Sequence, residues 1–193
     1  MRTRLLRFCV VVGFVAYGLA VVDAAEPRTY QTRNMIQAGN PGILKPGGAT
    51  LYRSSQGLEM RIATSGLNLN SSYSVWWVVF NNPSACVGGC GADDLGNPAV
   101  RASVLYAAGF VTGLSDTGNV TAHLESGNLP SGLDVELGNG LEPGNGFRAE
   151  VHLVVRSHGL TLAGIVDQQI GSFNGGCNVT CANVQAAVFA PVQ

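Results

Sequence analysis

Beyond its first two dozen residues the chain never sustains an apolar repeat of helical period. It is cut into short β-like runs by clusters of Gly, Asn, Pro and Ser. Seven runs qualify as strands: Thr50 to Ser54, Leu58 to Thr64, Tyr73 to Phe80, Val100 to Ala107, Asn119 to Glu125, Arg148 to Arg156 and Val184 to Ala190. Several place β-branched or aromatic residues at period two. Asn81-Asn82-Pro83, Gly96-Asn97-Pro98 and Gly138-Asn139-Gly140 supply the left-handed or fixed backbone angles of turns. Asp167 to Phe173 has room for one helical turn. About seven strands at this spacing predict an all-β fold, a single antiparallel β-sandwich of Greek-key type, with a small β-barrel as the alternative.

Composition narrows the class. With 46% hydrophobic and 12% charged residues, the chain is too apolar and too weakly charged for a disordered tail. Its 193 residues suit one domain with a sizeable core. Lys45 is the one lysine and the arginines are scattered, which argues against nucleic acid as a partner.

Residues 1–24 read as a secretory signal peptide. Arg2, Arg4 and Arg7 precede an apolar run from Phe8 to Val22, and Val22-Asp23-Ala24 offers small residues for cleavage. That run has 15 residues, short of the ~20 of a spanning helix, so no integral membrane segment is expected after cleavage; an uncleaved anchor is the alternative. The expected layout is leader 1–24, N-terminal extension 25–49 and β-sandwich domain 50–193, in a protein secreted to the exterior or the periplasm.

Cysteine usage fits export. Setting Cys9 aside with the leader leaves Cys86 and Cys90, in Cys-Val-Gly-Gly-Cys, and Cys177 and Cys181, in Cys-Asn-Val-Thr-Cys. An even count in an oxidising compartment reads as two disulfides, expected as Cys86–Cys90 and Cys177–Cys181, although four cysteines allow three pairings. A four-thiolate zinc site is the rival.

The run Tyr73 to Phe80 is apolar on both faces. Tyr73, Val75, Trp77 and Val79 point one way; Trp76, Val78 and Phe80 point the other. One face joins the core. The other is buried under a loop, with the connection from Asn81 to Pro98 as its natural cover, or exposed as a binding patch in which Trp76 stacks on sugars.

The strand from Phe147 to Arg156 carries the chemistry. Arg148, Glu150, His152 and Arg156 share its polar face, with His158 just beyond, and His123 and Glu125 face outward on Asn119 to Glu125. Were those strands neighbours, His123 and His152 would meet across the ladder at ~5 Å. With Glu150 or Glu125 they would form a copper or zinc site. The alternative is Glu150 paired with Arg148 or Arg156 and a hydrogen-bonded His152. Asp93 and Asp94, with Asn97, form a second candidate cation site, without the alternating ligands of an EF-hand.

No nucleophile elbow, Walker motif or dinucleotide fingerprint occurs, so no catalytic residue is nominated. Asn70, Asn119 and Asn178 head N-glycosylation acceptor triplets.

The segment from Tyr73 to Pro83, then Cys86, Cys90 and Asp93-Asp94-Leu95, together with Ala149 to Gly159, resembles a type of secreted bacterial protein with no assigned activity. That resemblance implies export and a β-rich fold and supplies no catalytic residue. A looser likeness to copper-zinc superoxide dismutase-type Greek-key sandwiches rests on histidines facing out of strands, without the ligand spacing.

Three functions follow as expectations. The first is a secreted binding or structural module for an unknown extracellular ligand, presenting a surface around His152, His158 and the Cys86–Cys90 loop. The second is an extracellular metal-binding protein using His123, His152, His158 and Glu150. The third is a carbohydrate-binding module built on Trp76. Asp93, Asp94 and Arg156 complete the candidate surface, and an enzyme is the less expected outcome.

Overall fold

The computed structural model describes residues 27–127, 129 and 134–192. The expected leader lies outside them. Nine antiparallel strands form one sheet: β1 (Thr29–Gln37), β2 (Asn40–Arg53), β3 (Gly57–Thr64), β4 (Ser71–Phe80), β5 (Ala102–Val111), β6 (Gly118–Glu125), β7 (Val135–Leu137), β8 (Glu150–Leu160) and β9 (Ala182–Phe189). Among the described residues one α-helix, α1 (Val166–Gly171), occupies the helical turn foreseen near Asp167. The strand order is β6-β3-β2-β1-β9-β8-β4-β5-β7.

All seven strands read from the sequence are present, and two more join them. The stretch 25–49 was expected as an extension, yet β1 and most of β2 lie inside it, and β1 sits in mid-sheet between β2 and β9. Its signal was faint because Met35 is its one fully buried residue. β7 has three residues and pairs with Val104 and Leu105 at the sheet's edge.

Most of the core comes from one face of this one sheet. Met35, Leu51, Met60, Val75, Trp77, Leu105, Leu124, Leu153 and Phe189, from eight different strands, belong to a single buried cluster. Side chains on one face can meet like this only if the sheet curls back over them. β5 accordingly lies alongside β6, but no ladder joins the two and the sheet stays open there.

Arg53 sits in the interior beside this cluster, 1% exposed. Its guanidinium donates to Gln31 Oε1 and to the carbonyl oxygens of Gly146, Ala149, Phe189 and Ala190, at 2.8 to 3.2 Å. These bonds fasten the end of β2 to β1, to the end of β9 and to the approach to β8. No carboxylate takes part in them, and burial lowers its pKa to about 10.

Candidate functional site

The outer face of β4 is apolar as well, so it must be covered; β8 beside it presents Glu150, His152, Val154 and Arg156 on the same side. Register aligns Trp76 with Val154, Val78 with His152 and Phe80 with Glu150. Two separate segments lie over this face, and each contains one disulfide.

The first cover is the connection between β4 and β5. Phe80, Val100 and Ala102 form a small second core, against which Val78, Ala85, Cys86, Cys90 and Leu95 pack. The Cys86–Cys90 disulfide closes this loop, as expected from local pairing. Asp94 is buried and accepts the Gly91 N–H at 2.9 Å, which caps a single 3-10 turn over Ala92–Asp94. Asn97 Oδ1 accepts from Ala99 N–H and Asp93 is exposed. The oxygens considered for a cation thus hold the loop's own backbone or face solvent.

The second cover runs from the end of β8 through α1 to Cys181. Phe173 lies edge-on to Trp76 at 4.9 Å, and Tyr106 closes the other side at 5.8 Å. Trp76 is fully buried, and its Nε1–H donates to Ser74 Oγ at 2.8 Å, so neither ring face is open for a sugar. The sequence assigned this cover to the Asn81 to Pro98 loop alone; over Trp76 it is Phe173 that does the covering. Arg156 is also buried here. It donates to Phe173 O, Asn183 Oδ1 and Asn174 Oδ1, and its guanidinium lies 4.1 Å from the Phe173 ring centroid. These contacts anchor the cover to β8 and β9. α1 comes so close to β5 that a Cβ on Gly109 would sit 2.1 Å from the Ile170 carbonyl oxygen.

The three histidines occupy three unlike places. His123 is exposed on β6, opposite Glu59 on β3. β6 and β8 are not neighbours in the sheet, so the ladder contact between His123 and His152 does not form. His152 and His158 are six residues apart on one strand, roughly 20 Å at strand rise, too far to share an ion. His158 is fully buried below the second cover. Its Nε2 lies 2.8 Å from Ser74 Oγ, its Nδ1 3.0 Å from Gly175 O and 3.1 Å from Cys181 Sγ. Burial lowers its pKa, with a smaller lowering from the Arg156 charge, against the Gly175 carbonyl, which raises it. Among the described residues, the group of metal-ligating side chains close enough to share an ion is His158, Cys177 and Cys181, and its two sulfurs are joined in a disulfide. Spacing could not reveal this trio, because His158 and Cys181 come together only through the fold.

Between the first cover and the β1–β2 hairpin the outer face stays open as a groove of about 350 Å³. Val78, Val154, Ala186 and Val188 line its floor, with Ile36 and Pro41 on one side and Leu95 and Cys90 on the other. His152 is the ionisable group in it. Its Nε2 lies 2.8 Å from Glu150 Oε1, both side chains are about 15% exposed, and the imidazole tilts over Phe80 at 4.9 Å. A carboxylate oxygen accepts from Nε2–H, which leaves Nδ1 as the ring nitrogen for a ligand's polar group. The sequence paired Glu150 with an arginine in its alternative reading; the partner is His152. A second cleft of about 280 Å³ shares Ala38 and Asn183 with the groove and holds Lys45, Gln37, Asn68 and Gln185.

No model of a known family, no curated protein and no solved structure matches the chain. The two disulfides are consistent with an extracellular or periplasmic protein, and no helix among the described residues is long and apolar enough to cross a membrane.

Proposed function

We propose that this is an exported binding module whose curled sheet serves as a barrel-like scaffold for the groove between the first cover and the β1–β2 hairpin. Its ligand is a small, largely apolar molecule that carries one polar group able to hydrogen-bond to an imidazole nitrogen. The observation that carries this reading is the His152–Glu150 pair set in an otherwise apolar groove of about 350 Å³, within the usual range of small-molecule sites. The apolar walls provide affinity by excluding water, and His152 Nδ1 orients the ligand. Lys45, in the adjoining cleft, is placed to meet an anionic group on a longer ligand. No hydroxyl or thiol nucleophile lines the groove, which favours binding over turnover.

Titration with an environment-sensitive apolar fluorophore tests this. Saturable, stoichiometric binding is expected for the native chain. Ala186→Phe, which fills the floor, should abolish it while the thermal midpoint is retained. Binding that does not saturate, or that survives Ala186→Phe, would refute the groove as the site. The copper or zinc reading draws less support, since His123, His152 and His158 stand in separate surroundings. The carbohydrate reading lacks an accessible Trp76.

A further inference from the structure

The two disulfides have the same sequence spacing but different neighbours. Around Cys86–Cys90 the nearest polar contact is Pro83 O, 3.8 Å from Cys90 Sγ, and the loop turns through Gly88 and Gly89, whose φ of 78° and 101° glycine adopts without strain. Cys181 Sγ, by contrast, lies 3.1 Å from a buried imidazole nitrogen, while the equally half-buried Cys177 Sγ lies 3.2 Å from Asn174 O. The loop between them contains Val179, 93% exposed and held at φ 72°, a left-handed conformation costly for a β-branched residue.

The proton on His158 can be located. Trp76 Nε1–H only donates, so Ser74 Oγ accepts it. Gly175 O only accepts, so a neutral His158 carries its proton on Nδ1, and Nε2 accepts from the Ser74 hydroxyl. The Nδ1–H is thereby shared between Gly175 O and Cys181 Sγ, a donor already in place for negative charge developing on that sulfur.

We propose that Cys177–Cys181 is an exchangeable disulfide, in which Cys177 accepts an external thiolate and Cys181 leaves as a thiolate held by His158. The incoming thiolate forms a new S–S bond to Cys177 Sγ as the Cys177–Cys181 bond breaks, and that bond's electron pair stays on Cys181 Sγ. A second thiolate attacking the external sulfur releases the oxidised external disulfide and leaves Cys177 as a thiolate. Two external thiols are oxidised and one protein disulfide is reduced. Stabilising the leaving sulfur accelerates exchange, and relief of the Val179 conformation favours the open form. The chemistry is independent of any ligand in the groove.

Cys86–Cys90 provides the internal control. The folded full chain is incubated with reduced glutathione, quenched with acid, alkylated and mapped by peptide mass spectrometry. Expected are a glutathione adduct on Cys177 and opening of Cys177–Cys181 about tenfold faster than of Cys86–Cys90. His158→Gln should erase most of that difference. Val179→Gly, at an exposed position where the core is not at stake, should slow the opening several-fold with the fold intact. Equal opening rates for the two disulfides in the native chain, or an adduct on Cys181, would overturn the proposal. An unaltered rate in Val179→Gly would remove the strain component.

Discussion

Arg53 is buried with a full set of acceptors and no carboxylate among them, so its value lies in the four carbonyl oxygens it satisfies. Arg53→Met fills similar space but strands those acceptors. We expect a loss of about 3 kcal/mol or more in urea unfolding, because each buried unpaired polar group costs roughly 1–3 kcal/mol. His158 makes a different prediction. Its pKa in the folded protein is lowered below the ordinary 6.5, so the unfolded chain takes up a proton that the native state resists. Stability should be complete above about pH 6.5 and fall as pH drops through 6.5 toward the lowered folded value. Thermal midpoints of the native chain and His158→Asn, compared from pH 7.5 to 5, check it; the variant should lose that part of the slope. Neither residue announced its role in the sequence. An arginine paired only with carbonyls leaves no local pattern, and the three histidines looked like one site because strand faces are legible while strand neighbours are not.

At the level of elements, the covers explain why β4 tolerates apolar residues on both sides. Removing the edge-on ring with Phe173→Ala should expose Trp76 to water without dismantling the sheet. A red shift and increased acrylamide quenching of the tryptophan emission are the expected signs, with Trp77, in the inner core, as the unchanged background. Gly109 makes the same point from beneath α1. Gly109→Ala drives a methyl group into the Ile170 carbonyl and should displace α1, with the same fluorescence shift. The two-faced apolar pattern of Tyr73 to Phe80 made the need for a cover readable. Phe173 was not readable as that cover, because it lies in the glycine-rich stretch after α1, where no periodicity ties it to a strand. β1 escaped notice for a related reason: a strand with one fully buried residue in nine shows almost no alternation.

Across the whole molecule, the disulfides staple covers rather than the sheet. Each closes a loop of four residues in sequence separation, for which the chain-entropy relation gives about 2 kcal/mol. Full reduction should therefore lower the thermal midpoint by roughly 5–15 °C while the β-type circular dichroism spectrum persists at lower temperature. Loss of the spectrum on reduction at 25 °C would show that the sheet depends on the staples. The sheet itself depends on β1: deleting residues 27–39 removes the strand that pairs with both β2 and β9 and should abolish cooperative unfolding.

That same pairing has a bearing on biosynthesis. Among the described strands β9 comes last in the sequence, and it fits between β1 and β8. Until it emerges from the ribosome, both of those strands present bare hydrogen-bonding edges and the hydrophobic interior lacks Ala187 and Phe189. A nascent chain of this topology cannot close its sheet before β9 has been made, so its strands gain their full set of partners late and together.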